Sequence, residues 1–441
     1  MWGRVSNPPL RLGGQVTPAQ KTVVALAIAL VVAVSWGMAP LQGYEFDDMQ
    51  HYKRWLLLVT GDGISSAYSG EYPQSYAIYP PVFLYLLRLV GLGWRSLVDP
   101  ALDTQVALAS NALSIAIKSS GLIFHGLLTL ALILMHRRTH GFRGALLTGL
   151  LYGLNPAVLF DVAYWGHPDA IQGFFLLAGL VALTASRPVA GGALLGLAAW
   201  TKPQTWALLP LAAVLTWRQS RQGGLVKAAL AFAALSALVV SPFWRHGTLG
   251  DLATLPGRIA SVMPFTSVYG SNLWWLLASG PRMEVDPPWL PDSDPWLGGL
   301  SYANWGYLLF GGLTLGGLWA LTRPASRAMV FEVFAFLAFG FFMVVTKVHE
   351  NHAFQALVLL AGAGLLGSHR LAIYGALSLT LLINMALFTP DIHQALLPAM
   401  GRGGVMAASM VNASANLALL AVWASLLVRS LRMEERYPTP T

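Results

Sequence analysis

The sequence predicts an all-α polytopic membrane protein, and three observations support this fold class. Of the 441 residues, 56% are hydrophobic and only 10% are charged, whereas a soluble domain carries about 25% charged residues. The apolar residues form long runs, and the basic residues form short clusters between them. Sixteen tryptophans and fourteen tyrosines suit a protein with two membrane interfaces, where amphipathic rings collect. We therefore expect a single membrane domain over residues 1–441.

Apolar segments that could cross the membrane number about twelve. They lie near residues 22–42, 106–135, 143–160, 170–186, 190–201, 204–217, 225–243, 304–322, 329–346, 353–367, 371–389 and 411–430. Several are shorter than the roughly 20 residues that a perpendicular helix needs, so we expect broken or partly buried helices around Thr201-Lys202-Pro203. The first segment lacks a small-residue cleavage site, which favours a membrane anchor over a removed signal peptide.

The distribution of Lys and Arg predicts the orientation. With both termini in the cytoplasm, every internal basic cluster lies on the cytoplasmic side, as the positive-inside rule requires. The net charge of +8 is then a matter of topology and does not indicate nucleic-acid binding. Of the nineteen acidic residues, all except Glu434 and Glu435 lie outside or within spans. The polar chemistry is therefore expected on the extracytoplasmic face.

Two long outer loops follow from this orientation, at residues 43–105 and 244–303. Loops of this length usually carry function or are disordered. Residues 79–94 are also apolar, but a span there would reverse the alternation of basic clusters. We therefore interpret this piece as an interfacial or re-entrant helix in the first outer loop, opened by Pro80-Pro81.

The first candidate site is the acidic pair Asp47-Asp48 after the first span. Neighbouring carboxylates beside apolar surface repel each other and are desolvated, and both effects raise a carboxyl pKa toward the range of a general base. The alternative is that Asp47 caps the helix that follows.

Two further candidate sites lie at outer ends of spans. Asp161, His167 and Asp169 could bind hydroxyl groups or a cation, or form an ordinary solvated turn. Lys202 interrupts an apolar stretch, where a lysine is costly unless it meets an anion or water. A phosphate is the natural partner for Lys202, and snorkelling to the interface is the alternative.

The fourth candidate site is the run from Thr346 to His352. Lys347 and His349 could bind a phosphate, and His349, Glu350 and His352 could less readily bind a metal. No glycine-rich phosphate loop, His-Glu-x-x-His or Gly-x-Ser-x-Gly motif is present, and there is no cysteine. Lys118 and His125 in the second span are interpreted as structural groups that face the bundle.

Taken in order, these motifs resemble those of the GT-C glycosyltransferases. The likeness rests on Asp48 to Trp55, Tyr79-Pro80-Pro81, Asn155-Pro156, Asp161, Gly166-His167, Lys202 and Val348-His349-Glu350. It is strongest to the dolichyl-phosphate-glucose-dependent glucosyltransferases of N-glycan assembly and to bacterial mannosyltransferases related to the GPI-anchor enzymes. Two departures are Asn351-His352, where relatives often have Lys or Arg and Tyr, and Trp-Gly-His-Pro-Asp in place of Trp-Gly-Gln-x-Asp.

This resemblance implies a GT-C fold and an inverting hexosyltransferase. Because no nucleotide-sugar or divalent-metal motif is evident in the sequence, we expect transfer without a cofactor or metal. The implied donor is glucose or mannose on a polyprenyl phosphate, and the implied acceptor is a hydroxyl of a lipid-linked or cell-envelope glycan in a bacterial or archaeal plasma membrane. Asp48 maps to the catalytic base, with Asp47 as the fallback, and His349 maps to the donor phosphate. Lys202 and Lys347 are further phosphate candidates. The expected substrate-binding residues are Tyr79, Asp161, His167, Asp169, Glu350 and His352.

Two other classes of function are compatible with many spans and a basic cytoplasmic face. A secondary transporter or lipid flippase should place ionisable groups near the bilayer midplane and often has repeated halves, and neither feature is evident in the sequence. A noncatalytic assembly subunit could use the same scaffold, although the intact Asp48 and His349 argue against it.

Overall fold

The computed structural model describes residues 17–41, 48–69, 77–282, 289–323, 325–366 and 369–436. Helices dominate these residues. In chain order they are α1 (Pro18–Met38), α2 (Asp48–Gly61), α3 (Pro81–Leu97), α4 (Thr104–Ala109), α5 (Asn111–His136), α6 (Gly141–Gly153), α7 (Pro156–Leu159), α8 (Asp169–Thr184), α9 (Pro188–Ala199), α10 (Leu209–Arg245), α11 (Leu249–Ala253), α12 (Leu255–Val262), α13 (Tyr302–Thr322), α14 (Arg327–Val344), α15 (Phe354–Ala363), α16 (Arg370–Phe388) and α17 (Pro390–Arg436).

In the described residues, each of the twelve predicted apolar segments overlaps at least one helix. In the described residues, six helices are long and apolar enough to cross a membrane, and a seventh span forms if the bent pair Gly141–Gly153 and Pro156–Trp165 counts as one. Three further helices, α8, α9 and α15, are apolar but shorter, with 10–17 residues each. The all-α membrane architecture is confirmed, and the number of about twelve spans stays a prediction.

The predicted break around Lys202 is present. α9 ends at Ala199, a short 3₁₀ segment runs from Pro203 to Leu208, and α10 begins at Leu209. Pro203 lacks a backbone N–H and fixes φ, so it favours the first turn of a helix over the interior. The break leaves Lys202 in an extended conformation between two helices.

Close packing of small residues holds the bundle together, because lipid tails give apolar helices little hydrophobic reason to associate. Gly192 of α9 illustrates this, since a Cβ there would lie 2.1 Å from the Ala228 carbonyl oxygen of α10. The fully buried aromatic residues Phe331, Phe334 and Phe339 of α14 pack in the main core. α14 therefore lies in the interior of the bundle.

The region predicted as the first outer loop contains two helices that pack together, α2 and α3. Tyr52 and Leu56 of α2 pack with Phe83 and Leu87 of α3 in one buried cluster, which Ile117 of α5 also joins. The predicted interfacial helix at residues 79–94 is thus helical as α3, and its interfacial position stays a prediction. This packing fixes the start of α2, where Asp48 lies.

The candidate site and the basic cluster that includes Arg323 lie at opposite ends of α14. At its first end, Glu434 accepts hydrogen bonds from Ser326, and Arg323 contacts Glu435 at 2.6 Å. At its other end, Val344 is followed two residues later by Thr346, which opens the fourth candidate site. The side of the membrane on which each end lies stays a prediction.

Candidate functional site

A distorted helical turn presents the second candidate site. Asn155 caps α7 through its side-chain oxygen, which accepts from the backbone N–H groups of Ala157 and Val158. The chain then widens into a π-helical turn, Phe160–Trp165, a geometry often found at functional sites. Gly166 ends this turn with φ of +86°, and both Gly166 and His167 donate backbone N–H groups to the Asp161 carbonyl oxygen at 3.1 Å.

The structure brings Asp48 and His167 together across 119 residues of sequence. His167 Nε2 lies 3.2 Å from Asp48 Oδ2, and the side chains are 7% and 30% exposed, respectively. Burial raises the pKa of the Asp48 carboxyl, but the charge and hydrogen bond of His167 outweigh it and lower that pKa below its usual value. Burial lowers the pKa of His167, and Asp48 reverses the shift and raises it. Asp48 is therefore ionised at neutral pH.

Asn351 links this pair to the two other carboxylates. Its Nδ2 lies 3.1 Å from Asp161 Oδ1, 3.0 Å from Asp169 Oδ2 and 3.2 Å from His167 Nδ1. Asn351, Asp161, His167 and Asp169 are all buried, with 5% or less of each residue exposed. The alternative interpretation of this segment as an ordinary solvated turn is therefore wrong.

Lys202 is the cation of the buried network. Its Nζ donates to Asp169 Oδ1 at 3.0 Å and to Oδ2 at 2.8 Å, and the residue is 1% exposed. Burial lowers the pKa of Lys202, but Asp169 raises it above its usual value, so the ammonium keeps its charge. Lys202 does not snorkel to the interface, and an incoming phosphate would have to share it with Asp169.

Tyr79 lies beside this ion pair. Lys202 Nζ is 5.3 Å from the centroid of the Tyr79 ring, within the range of a cation–π contact. The Tyr79 hydroxyl accepts from the Tyr52 hydroxyl at 3.3 Å, and its carbonyl oxygen accepts from Tyr68 at 2.6 Å. Burial raises the pKa of Tyr79 to about 12, so the phenol is a neutral hydrogen-bond donor or acceptor.

The fourth candidate site is split between two environments. Lys347 forms an ion pair with Asp292, which also accepts from Thr346 at 2.7 Å. His349 is 37% exposed at its side chain and lies 3.9 Å from Glu350, and its ring packs 5.3 Å from that of His352. Burial lowers the pKa of His352 well below its usual value, so this imidazole is neutral. Of this group, His349 is the most accessible to a ligand.

The electrostatic influence of His349 reaches Asp48 and lowers the pKa of that carboxyl, after the larger effects of burial and His167. The first, second and fourth candidate sites therefore share one environment around Asp48, and Asp169 joins the third candidate, Lys202, to them.

Asp47 falls outside the described residues. Lys118 and His125 are structural: Lys118 Nζ donates to the carbonyl oxygens of Ala39, Leu41 and Tyr164 at 2.7–3.0 Å, and His125 contacts the Gly153 carbonyl.

One group of three metal-ligand residues converges in the described part of the chain, namely Asp161, His167 and Asp169, whose ligand atoms lie within 4.8 Å of one another. The Asn351 amide nitrogen occupies a hydrogen-bonding position between these same residues, and the Lys202 ammonium neutralises Asp169. An amide N–H group is a donor and cannot ligate a metal. His349, Glu350 and His352 do not form a comparable group.

Sequence reasoning missed several residues of the network. In the sequence, Asn351 is identified only as a departure from the GT-C pattern. Gln355 donates to the Asp169 carbonyl oxygen at 3.1 Å and to Gln172 Oε1 at 2.8 Å, and Gln172 donates to Thr205 at 2.8 Å. The available signal was the helical spacing of Asp169 and Gln172, which stand three residues apart in α8.

No protein-family model and no curated protein sequence matches this chain. Among solved structures it is similar to ArnT from Cupriavidus metallidurans bound to undecaprenyl phosphate. The identity is 16%, the TM-score is 0.50, and the match covers 93% of this chain and 78% of that chain. The apo state of the same ArnT aligns with 17% identity and a TM-score of 0.47, over 94% and 78% of the two chains. The likeness to the undecaprenyl-phosphate-bound structure establishes the fold, and this chain has the GT-C fold.

Proposed function

We propose that this protein is an inverting glycosyltransferase that moves a hexose from a polyprenyl phosphate to an acceptor hydroxyl. The acceptor would be a lipid-linked or cell-envelope glycan, and the sugar glucose or mannose. Three facts support the proposal: the GT-C fold, the structural likeness to a protein crystallised with undecaprenyl phosphate, and the sequence motifs around Asp48 and His349. The sugar and the acceptor rest on the resemblance of those motifs alone.

The observation that carries the proposal is the partly exposed Asp48 carboxylate, hydrogen-bonded to the buried His167 at 3.2 Å. In the proposed reaction, Asp48 takes the proton of the acceptor hydroxyl as that oxygen forms its bond to the sugar C1. The bond between C1 and the phosphate oxygen breaks, and its electron pair leaves with the polyprenyl phosphate. Attack opposite the leaving group inverts the anomeric carbon, through an oxocarbenium-like transition state.

Negative charge on the leaving phosphate needs cationic partners in the transition state. His349 is the most accessible candidate, with 37% of its side chain exposed. Lys202 donates two hydrogen bonds to Asp169, which leaves its third N–H for a phosphate oxygen beside Tyr79. Lys347 would have to break its ion pair with Asp292 before it could bind the phosphate. We therefore propose His349 and Lys202 as the principal phosphate contacts.

The donor set favours transfer without a divalent metal. The Asn351 amide lies between the three residues that could otherwise converge on an ion, and Lys202 already supplies a positive charge there. Transfer that persists in excess chelator would support this assignment. Loss of transfer on chelation, restored by one added divalent ion, would contradict it.

We further propose that this site faces the extracytoplasmic side. The chain contains no cysteine, so single cysteines can report sidedness directly. Asp62→Cys in the first outer loop and Thr139→Cys between α5 and α6 are both exposed positions. A membrane-impermeant maleimide applied to intact cells should label position 62 and leave position 139 unlabelled. The reverse pattern would overturn the orientation.

The function itself is tested by reconstitution. Purified protein in liposomes should convert a polyprenyl-phosphate hexose and a lipid-linked glycan acceptor into an elongated product, with the opposite anomeric configuration to the donor. A panel of glucose and mannose donors identifies the sugar. If the protein instead moves an intact lipid or solute across the bilayer and leaves every glycosidic bond unchanged, the transporter or flippase alternative is correct.

A further inference from the structure

The orientation of the Asn351 side chain is dictated by its carboxylate neighbours. Its amide nitrogen faces Asp161 Oδ1 at 3.1 Å and Asp169 Oδ2 at 3.0 Å. A rotation that exchanged nitrogen and oxygen would direct the amide carbonyl at both carboxylates, where all three groups are acceptors. At a buried position that arrangement loses two hydrogen bonds and adds repulsion. The amide therefore directs its N–H groups into this space.

This orientation has a consequence for His167. The same Asn351 Nδ2 lies 3.2 Å from His167 Nδ1. The amide has two hydrogens for its three neighbours, but its nitrogen cannot accept a hydrogen bond. A hydrogen on Nδ1 would therefore face a group that is not an acceptor, and Asp169 Oδ2, at 3.7 Å, is beyond hydrogen-bonding distance. Nδ1 must then carry no hydrogen, so the proton of the neutral imidazole lies on Nε2. That nitrogen faces Asp48 Oδ2 at 3.2 Å. This geometry is thus that of a neutral His167 that donates to Asp48.

We propose that Asn351 and His167 are positioning residues that act in series on Asp48: the Asn351 amide fixes the tautomer of His167, and neutral His167 orients the Asp48 carboxylate. This inference deepens the proposed function and rests on it. Protonation of His167 places an N–H on Nδ1 against the Asn351 amide and strengthens the donor to Asp48. Both changes oppose base catalysis, since a carboxylate beside an imidazolium is a weaker base. Transfer should therefore fall when His167 becomes charged.

Several charged groups act on His167 from the surrounding elements. Asp48 of α2, Asp161 of the π-helical turn and Asp169 of α8 favour its charged form, whereas Lys202 opposes it. The neutral His352 lies in the same environment. Because the carboxylates prevail, the pKa of His167 is raised above its usual value of about 6.5. The proposal therefore predicts that the acid limb of the activity profile lies near or above pH 6.5, and the His167→Gln variant assigns that limb to His167.

The tautomer can be measured without any sugar transfer. Protein labelled with ¹⁵N-histidine in nanodiscs gives separate ring-nitrogen signals for neutral and charged imidazoles, and loss of one signal set in His167→Gln assigns His167. At pH 8.5 we expect a neutral ring with its hydrogen on Nε2. A hydrogen on Nδ1, or a doubly protonated ring at that pH, would overturn the proposal.

The catalytic consequence is tested by pH profiles of turnover. His167→Gln keeps an amide donor but cannot titrate. The acid limb of this variant's pH profile should therefore move to lower pH by about one unit or more. Asn351→Ala removes the opposing N–H and should move the limb upward. Asn412→Ala, which removes a buried amide bonded to the Thr380 carbonyl at 2.9 Å, is the matched control and should leave the limb in place.

An acid limb that is unchanged in His167→Gln and Asn351→Ala would overturn the catalytic part of the proposal. The two measurements also separate this inference from the proposed function. If no donor is turned over but the ring carries its hydrogen on Nε2, the glycosyltransferase assignment fails while the tautomer assignment stands. If transfer occurs with a charged or Nδ1-protonated ring at pH 8.5, only the present inference fails.

Discussion

Lys202 and Asp169 form a bidentate ion pair in the interior of the protein, with Nζ 2.8 and 3.0 Å from the two carboxylate oxygens. Both residues are 2% exposed or less. The pair joins the break between α9 and α10 to the first residue of α8. A buried charge that loses its partner is costly, because neither water nor another ion replaces it.

Removing either partner should therefore destabilise the fold. We expect Lys202→Met and Asp169→Leu each to cost about 3–5 kcal/mol, and the double variant to cost less than either single variant. Denaturant unfolding of the protein in detergent, followed by tryptophan fluorescence, gives the three values. Additive costs would mean that the two residues do not act as a pair.

The Asp48–His167 pair makes stability depend on pH with a defined sign. The pKa of Asp48 is lowered, so its contribution is present above the unfolded value of about 3.9 and is lost as pH falls through the folded value. The pKa of His167 is raised, so its contribution is present below about 6.5 and is lost as pH rises through the folded value. The unfolding temperature of wild type minus that of Asp48→Asn should be largest between about pH 4 and 6.5.

The control for this experiment is Asp62→Asn, an exposed change that should show no such window. If the difference in unfolding temperature between wild type and Asp48→Asn is flat across pH 4 to 9, Asp48 and His167 do not form an ion pair in the folded protein.

Gly166 is a site where any side chain should be harmful. Its φ is +86°, and an added Cβ would lie 2.6 Å from Lys118 Cγ and 3.0 Å from Met49 Cε. We expect Gly166→Ala to cost at least 1–2 kcal/mol, roughly the penalty for a left-handed conformation with a Cβ, and to displace His167. Thermal unfolding measures the cost. Gly37→Ala in α1, where no atom lies within 4 Å of the new Cβ, should be neutral or stabilising.

His349 is predicted to contact the donor phosphate. Loss of one charge-assisted hydrogen bond costs roughly 1.5–3 kcal/mol, so His349→Ala should raise the KM for the donor by roughly 10–150-fold. The KM for the acceptor should change little. The exposed His246→Ala is the control for loss of a surface histidine. Donor kinetics equal to wild type in His349→Ala would remove this residue from the phosphate site.

The sequence predicted the helical segments well, because membrane-spanning helices are marked locally by apolar runs. It also predicted most residues of the candidate site, because polar side chains at the ends of apolar helices are evident in a sequence. These residues are Asp48, Asp161, His167, Asp169 and Lys202. It did not predict which of them pair. Asp48 meets His167 across 119 residues, and Lys347 meets Asp292 across 55, so these contacts depend on how helices pack.

The same limit explains the missed role of Asn351. An isolated asparagine in a sequence carries no sign that two carboxylates and an imidazole will surround it. Lys202 illustrates the converse. From its position in an apolar stretch, the sequence predicts an anion beside Lys202. The identity of that anion, Asp169, depends on how α8 packs against the break between α9 and α10.

The assignment of Asp48 as the general base is tested by the single-turnover rate of Asp48→Asn with saturating polyprenyl-phosphate donor. The variant keeps the size of the side chain and its hydrogen-bonding capacity but cannot accept the proton. We predict that the rate falls by roughly 10²–10⁴-fold while donor affinity and the unfolding temperature at pH 8 stay close to wild type. A folded Asp48→Asn protein that transfers sugar at a near-normal rate would contradict this role for Asp48, and loss confined to Asp47→Asn would assign the base to the preceding residue.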